Sequence, residues 1–251
     1  MQVVLIGSGN VATTLGRLMQ RNNHKVIQVA SRNIEHAKML ADELQCSYID
    51  YNGPLNKTAD IYVIAVSDMA LHECVQHFNI ADKLVMHTAG SVTKDVLKNV
   101  SYNYGVLYPL QSLRKENEII PDIPFLVDGN NDSVIKAIYD FAKTLSPNVQ
   151  VIGDEDRIKL HAAAVIVSNF TNHLYSIAED FCNKEHVNFD LLKPLIMETA
   201  SRIRYQSPGA VQTGPAVRKD IHTLDKHLRL LSNYPKLRTT YLRLTDSIMN
   251  P

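Results

Sequence analysis

Short apolar runs alternate with amphipathic segments over the first 152 residues. Gln2–Ile6 is an apolar run, as expected for a strand that is buried on both faces of a parallel sheet. Further strands are predicted at residues 25–29, 47–49, 60–66, 84–88, 104–108, 124–128 and 149–152. Helices are predicted between them at residues 34–44, 69–78, 93–97 and 132–145. This alternation indicates an α/β fold with a doubly wound Rossmann sheet.

From Gly153 onward the pattern changes and no strand is predicted. Helical periodicity predicts an all-α carboxy-terminal part, with helices at residues 154–184, 191–204, 221–231 and 234–249. We therefore predict two domains, residues 1–152 and residues 153–251. Ala162–Val167 is apolar on all sides, which predicts that it forms the buried spine of the second domain.

A glycine-rich turn follows the first strand directly and leads into a helix. It consists of Gly7, Ser8, Gly9, Asn10, Val11 and Ala12. In this context the spacing G-x-G-x-x-A predicts a dinucleotide site. The first glycine permits a tight turn, the second lets the backbone approach a pyrophosphate, and the alanine allows close helix packing. The alternative is a plain strand–turn–helix unit with a glycine-rich turn.

The end of the second strand carries Ser31 and Arg32, and the first acidic residue after them is Glu35. An acid at the strand end would bind the ribose 2′-hydroxyl of NAD and repel a 2′-phosphate. A serine hydroxyl and a guanidinium bind phosphate instead. This favours NADP as the cofactor, although Arg32 could also be an exposed arginine in a loop.

Other strand ends supply further candidates to line a cofactor, because ligands of open parallel sheets bind at the carboxyl ends of strands. They are Val66, Ser67, His87, Thr88 and Pro109. Asp68 is well placed to cap the helix that follows. The alternative for His87 is a buried histidine that serves only the structure of its strand end.

Polar residues interrupt the apolar helix predicted at residues 154–184. His161, Ser168 and Asn172 are separated by seven and four residues, which places them on one stripe of the helix, and Asn169 lies beside it. Polar groups on a buried helix need hydrogen-bond partners. His161 is the candidate proton donor or acceptor, and Ser168 and Asn169 are candidates to orient a substrate. A polar seam bonded to neighbouring helices or to a second subunit is the alternative.

A second polar cluster follows the turn Thr213-Gly214-Pro215. Arg218 is a candidate to clamp an anionic substrate, or else forms a surface pair with Asp220. Asp220, Thr223 and His227 share a helix face. We predict no metal site, because no histidine or cysteine spacing typical of one occurs.

Composition narrows the class of protein. Lys+Arg and Asp+Glu both number 26, which does not favour binding to nucleic acid or to an anionic membrane. No apolar run approaches the ~20 residues of a membrane span. The first strand starts at residue 2, so we expect no signal peptide, and three scattered cysteines predict a cytoplasmic protein.

The glycine turn resembles the start of pyrroline-5-carboxylate reductase and of deazaflavin-dependent NADP oxidoreductases. Later segments resemble a bacterial family of Rossmann-like proteins with an all-helical carboxy-terminal domain. These segments are residues 87–90, 109–111, 161–165 with 168–169, and 213–215 with Arg218, Asp220, Thr223 and His227. The chain departs from that family at Ala89, Tyr108 and Lys219, where serine, histidine and glycine are usual.

The resemblance implies an arrangement like that of 6-phosphogluconate dehydrogenase, with dimerisation through the helices. We hypothesise an NADP-dependent oxidoreductase that transfers a hydride between the cofactor and a C=O or C=N bond of a small metabolite. A nucleotide-binding sensor or interaction protein without turnover is the alternative. A deazaflavin redox partner rests on analogy alone.

Overall fold

The structure is a computed structural model that describes residues 1–251. Residues 1–169 form one compact unit and residues 170–251 form another. The boundary predicted between residues 152 and 153 stays a prediction, because compactness alone does not define a domain.

The first unit contains one sheet of eight strands in the order β3-β2-β1-β4-β5-β6-β7-β8. All neighbouring strands are parallel except β6 and β7. The strand order reverses beside β1, as in a Rossmann sheet, which confirms the predicted fold class. The strands are β1 Gln2–Ile6, β2 Lys25–Ala30, β3 Ser47–Ile49, β4 Ile61–Ile64, β5 Ala81–His87, β6 Ser101–Pro109, β7 Phe125–Gly129 and β8 Val149–Val151.

The helices also follow the predicted pattern closely. Two of them, α2 and α4, have the predicted bounds. The α-helices are α1 Asn10–Arg21, α2 Ile34–Leu44, α3 Asp68–Cys74, α4 Asp132–Leu145, α5 Asp154–Ala164, α6 Thr171–Lys184, α7 Lys193–Arg202, α8 Ile221–Leu230 and α9 Pro235–Met249. Short 3₁₀ segments occur at Val75–His77, Lys94–Leu97, Phe189–Leu192 and Leu231–Asn233.

The sheet is buried on both faces. Val3 and Leu5 of β1 belong to one apolar core, which includes residues of α1, α2 and α4. Val4 and Ile6 alternate with them and belong to the core on the opposite face, which includes residues of α3. Since both sets of side chains are excluded from water, β1 lacks the polar positions that a half-exposed strand would have.

The strand β7 runs antiparallel to β6, with pairs that include Gly105 with Gly129 and Pro109 with Phe125. A parallel connection needs a crossover of about a dozen residues or more, and it is usually helical. Residues 110–124 contain no helix or strand. The chain therefore returns beside β6 in the opposite direction.

The predicted helix at residues 154–184 is not one regular α-helix. A π-helical segment, Val165–Phe170, separates α5 from α6. The prediction that Ala162–Val167 is buried is wrong for the single chain, because Ile166 is 58% exposed and Val167 is 72% exposed. An apolar sequence predicts that a helix packs against other apolar groups, but it does not predict whether these groups belong to the same chain.

The second unit, residues 170–251, buries few side chains. Its buried apolar residues are Cys182, Ala216, Leu224 and Leu231. Exposed large apolar side chains include Leu191, Leu195, Met197, Ile203 and Tyr205. None of the helices in the chain has the length and apolar character needed to cross a lipid bilayer.

The turn between β1 and α1 makes a close contact at the edge of the sheet. Gly7 has φ +126°, and a Cβ placed there would lie 2.2 Å from the carbonyl oxygen of Ala65. A Cβ placed on Gly9 would have no neighbour within 4 Å. Of these two glycines, only Gly7 is therefore required by the packing of the protein.

We predict that Gly7→Ala lowers the free energy of unfolding by about 3 kcal/mol or more, because it adds backbone strain and a clash with Ala65. Gly9→Ala, the matched control, should cost no more than about 1 kcal/mol. Urea unfolding of the ligand-free protein measures both. Equal losses in the two variants would contradict this account of the turn.

Candidate functional site

The amino-terminal end of α1 is open to a ligand. Gly9 occupies the N-cap position without a side-chain cap, and the first turn contains no acidic residue. The first N–H groups of a helix lack partners within the helix and carry its positive dipole end. This turn can therefore bind an anion, as the glycine spacing predicts.

The end of β2 lies against the same turn. Ser31 is buried, and its Oγ is 2.8 Å from the Oγ of Ser8. Arg32 is exposed and forms no ion pair. Asn33 caps α2 by accepting a hydrogen bond from the N–H of His36 at 3.1 Å. The structure thus brings Ser8, Ser31 and Arg32 together.

A cavity of about 240 Å³ opens at this position. Seven of the predicted cofactor residues line it: Gly7, Ser8, Gly9, Ser31, Arg32, Val66 and Ser67. Its wall also contains residues that the sequence did not single out, including His36, Tyr51, Glu73 and Cys74. Burial raises the pKa of the Tyr51 phenol, the nearby Cys74 adds to this effect, and Arg32 partly offsets it.

The remaining predicted cofactor residues do not line this cavity. Ala12 is fully buried and Val11 packs against the core. The Oδ1 of Asn10 accepts a hydrogen bond from the N–H of Lys115 at 3.3 Å. Thr88 is buried and donates its backbone N–H to the oxygen of Ile64 at 3.1 Å. Their assignments as cofactor residues stay predictions.

Both ring nitrogens of His87 form hydrogen bonds within the protein. It is fully buried, and burial together with the nearby Arg157 charge lowers its pKa to about 4. At neutral pH its Nδ1 accepts from the N–H of Ala89 at 3.1 Å, so Nε2 carries the proton and faces the oxygen of Thr93 at 3.3 Å. These bonds shape the loop after β5 and match the structural alternative for this histidine.

A tyrosine–histidine pair lies at the carboxyl end of β6. The hydroxyl of Tyr108 is 2.8 Å from Nδ1 of His161, and the two rings meet edge to face at 5.8 Å. Burial and the charge of Asp68 raise the pKa of Tyr108, and Arg157 partly offsets them. A Cβ on Gly90 would lie 2.6 Å from Nδ1 of His161. Gly90 thus makes room for the pair.

Asp68 connects two strand ends rather than capping α3. The N-cap residue is Ser67, and Asp68 is the first residue of the helix. Its Oδ2 accepts from the N–H of Ser91 at 3.0 Å and from the hydroxyl of the same serine. The predicted capping role is wrong, because the side chain reaches across to the loop after β5.

An ion cluster anchors the first turn of α5. Asp154 accepts from Arg157 at 2.6 Å and from the N–H of Lys94 at 3.1 Å, and Lys94 also pairs with Asp128 at 2.8 Å. Burial opposes the ionisation of Asp154, but Arg157 and Lys94 outweigh it and lower the pKa. Because Arg157 lies one turn before His161, the cluster fixes the helix that carries His161.

Arg157 is the largest fully buried side chain of the molecule and also donates to the oxygen of Val92. Its Nε and Nη1 have no partner within the protein. The spacing of Asp154, Arg157 and His161 at i, i+3 and i+7 was visible in the sequence. This spacing predicts that the three residues share a helix face. It does not predict that the charged side chain of Arg157 is buried on that face.

The predicted stripe of His161, Ser168 and Asn172 assumes a regular α-helix. The π-helical segment changes the register, since a π turn holds one more residue than an α turn. His161 and Ser168 are half-buried, whereas Asn169 and Asn172 are exposed. The stripe as predicted is therefore wrong, while the roles of Ser168 and Asn169 stay predictions.

In the second unit the predicted cluster divides into two local contacts. Asp220 is the N-cap of α8, and it accepts from the N–H of Thr223 at 3.1 Å and from its hydroxyl at 2.8 Å. His227 contacts the Tyr241 hydroxyl of α9 through Nδ1 at 2.8 Å. Arg218 is exposed, and its charge contributes to lowering the pKa of Asp220 after the two bonds from Thr223.

The first unit therefore places an anion-binding turn, a cavity and a tyrosine–histidine pair along one edge of the sheet. The carboxyl ends of β1, β4, β5 and β6 all lie at this edge, because these strands are parallel. Such an edge can hold a dinucleotide and a proton-transferring group next to it.

Comparisons with known families match both parts of the chain. Residues 2–90 match the family described as NADP oxidoreductase, coenzyme F420-dependent. Residues 123–248 match a domain of unknown function, DUF2520. A comparison with curated proteins gave no match.

Solved structures agree with these matches. A protein from Bacteroides fragilis described as a "putative NADP oxidoreductase" has 36% identity and a TM-score of 0.91, covering 100% of this chain and 98% of that one. A Thermotoga maritima protein has 19% identity and a TM-score of 0.74, covering 98% and 96%.

The fold extends to pyrroline-5-carboxylate reductase from Streptococcus pyogenes, with 12% identity, a TM-score of 0.66 and coverage of 100% and 99%. At this identity the likeness concerns the fold alone. The two family matches and the Bacteroides fragilis structure together decide the classification: the chain belongs to the DUF2520 family and carries an amino-terminal NADP oxidoreductase domain of the coenzyme F420-dependent class.

Proposed function

We propose that this protein transfers a hydride between NADP(H) and a C=O or C=N bond of a small metabolite, with His161 exchanging the proton. The observation that carries the proposal is the Tyr108–His161 pair at the same sheet edge as the glycine turn. The membership in an NADP oxidoreductase class supports the redox part. The unpaired state of its three cysteines fits a location in the cytoplasm.

The residues at the sheet edge fit a dinucleotide. Gly7 forms a turn that a Cβ would fill, and the first turn of α1 has no acid to repel a pyrophosphate. Ser31 and Arg32 suit a 2′-phosphate, because a hydroxyl and a guanidinium both donate to phosphate oxygens. A bound nicotinamide dinucleotide supplies hydride transfer, and the protein supplies orientation and electrostatics.

The Tyr108 hydroxyl sets the tautomer of His161. Burial raises the pKa of Tyr108, so its phenol stays protonated and donates to Nδ1 of His161. A neutral imidazole that accepts at Nδ1 carries its proton on Nε2. His161 therefore presents its Nε2–H to a carbonyl oxygen or an imine nitrogen. As that proton leaves, Nδ1 takes the hydroxyl proton of Tyr108, which solvent then restores, so that His161 stays neutral; the reverse direction runs the same transfers backwards.

Three further residues complete the proposal. Ser168 and Asn169 orient the substrate by hydrogen bonding, since their hydroxyl and amide groups both donate and accept. Arg218, in the second unit, is exposed without an ion pair, and its role in binding a carboxylate or phosphate of the substrate stays a prediction.

We also propose that the apolar helices are covered by a second copy of this chain. Residues 170–251 bury four apolar side chains, too few for a core of their own. Large apolar side chains are exposed on several elements, among them Leu191, Leu195, Met197 and Ile203. Apolar surface of this kind often marks an interaction site, and homodimer interfaces are rich in apolar residues. A formal net charge of 0 does not oppose self-association.

The cofactor prediction is a preference for NADPH. Isothermal titrations with NADPH and NADH at fixed salt should show tighter binding of NADPH. Arg32→Ala should weaken NADPH about 10- to 100-fold by removing a charged hydrogen bond, and leave NADH nearly unchanged. Lys38→Ala, the same charge change at an exposed position of α2, is the control. A preference for NADH would overturn the cofactor assignment.

The catalytic prediction concerns His161. With a panel of carbonyl and imine substrates, His161→Ala should lower kcat by at least about a hundredfold and keep the NADPH affinity, because only proton transfer is removed. His72→Ala, at an exposed position of α3, should behave as wild type. Tight NADPH binding with no turnover on any substrate would favour the sensor alternative.

Tyr108→Phe tests the tautomer assignment separately. It should lower kcat by about tenfold and change the pH profile, since the partner of Nδ1 is lost. An unchanged pH profile would mean that Tyr108 only fills space beside His161.

The dimer prediction is tested by sedimentation velocity. The molar mass derived from the sedimentation of the wild type should be twice that of one chain. Val167→Glu should produce a monomer or a far weaker dimer, because a charge would replace a side chain in the interface. Asn183→Glu, at an exposed polar position of α6, should leave the dimer intact. A monomeric wild type would refute the proposal.

A further inference from the structure

The connection between β6 and β7 contains a strap, residues 111–118, that lies along α1. The Nη1 of Arg17 donates to the oxygen of Lys115 at 2.6 Å, and the Nη2 of Arg21 donates to the oxygen of Glu118 at 3.2 Å. The N–H of Lys115 donates to Asn10 Oδ1 at 3.3 Å. The backbone of Lys115 is thereby attached to the first residue of the phosphate-binding helix.

Arg17 is itself held in place. Its Nε and Nη2 donate to the two carboxylate oxygens of Glu43 on α2 at 2.5 Å and 3.1 Å. This two-bond geometry fixes the plane of the guanidinium. The remaining nitrogen, Nη1, is the one that binds the strap. The strap therefore has a fixed position relative to both α1 and α2.

A second cavity of about 280 Å³ lies between the strap and these helices. Lys115 lines it together with Thr13, Arg17 and Glu43. Ser8 and His36 line both this cavity and the cofactor cavity, so the two adjoin at these residues.

Three acidic residues, Glu43, Glu73 and Glu116, line the two cavities, but two of the cations that line them have no ion-pair partner. Glu43 is paired with Arg17, and Glu116 lies 3.6 Å from Arg114. Lys115 and Arg32 form no ion pair. Glu73 lines only the cofactor cavity, on its α3 wall. Two unpaired cations thus line adjoining cavities that share Ser8 and His36.

We propose that Lys115 is a specificity-determining residue that binds the 2′-phosphate of NADP together with Arg32; this rests on the proposed function. A phosphate monoester carries between one and two negative charges at neutral pH, more than Arg32 alone can compensate. Arg32 supplies a planar fork, and Lys115 supplies a compact charge on a flexible chain. The hydroxyls of Ser8 and Ser31, 2.8 Å apart, are further hydrogen-bonding groups at this junction.

The matched pair Lys115→Gln and Arg114→Gln tests this inference. Both substitutions remove one positive charge from the strap, but Arg114 faces Glu116 and does not line the cavity. Because the strap is attached through the backbone of Lys115, the side-chain change should leave it in place. Equal thermal midpoints of the two variants check this.

Titration with NADPH and NADH at two salt concentrations gives the readout. Lys115→Gln should weaken NADPH about tenfold and NADH less than about twofold, with a weaker salt dependence for NADPH. Lys115→Arg should restore most of the NADPH affinity. Arg114→Gln should bind both nucleotides as wild type does.

Two results would overturn the inference: an equal loss for both nucleotides, which places Lys115 at the shared pyrophosphate, or no loss at all. Failure of the proposed function is distinguishable from either. In that case the wild type would not prefer NADPH, and Arg32→Ala would change nothing. If Arg32→Ala removes the preference and Lys115→Gln does not, only the role of Lys115 is refuted.

Discussion

The close approach of Gly7 to the carbonyl oxygen of Ala65 is the constraint on which the sheet edge depends. It lets β1 turn into α1 directly beside the end of β4, at the reversal of strand order. A side chain at this position would separate β1 from β4 and displace the helix. The free N–H groups of α1, the cavity and the neighbouring strand ends all take their positions from this contact.

The proton-transferring pair depends on a different set of forces. His161 is presented by α5, whose first turn is tied to the sheet unit through Asp154, Arg157 and Lys94. Burying charges is costly unless they are paired, so such a cluster is more valuable for fixing geometry than for adding stability. Glycine at position 90 leaves the room in which the pair forms. A close backbone contact positions the turn, and electrostatics position the histidine.

The sequence predicted the elements well, because buried strands and amphipathic helices have strong periodic signals; α2 and α4 have the predicted bounds. The turn residues that line the cofactor cavity were also found from local spacing. The π-helical segment was missed, because periodicity assumes a regular helix. Tyr51 and Lys115 were missed as site residues since they come from loops distant in sequence, which no local pattern reports.

The strap has a consequence for how the protein is made. Its contacts join residues of α1 to residues about a hundred positions later in the chain. During synthesis the glycine turn leaves the ribosome long before the strap does, and the antiparallel β7 follows later still. Amino-terminal segments can fold early, but contacts of long sequence separation form late. The nascent chain can therefore complete its first strands and helices well before its nucleotide site is closed on the α1 side.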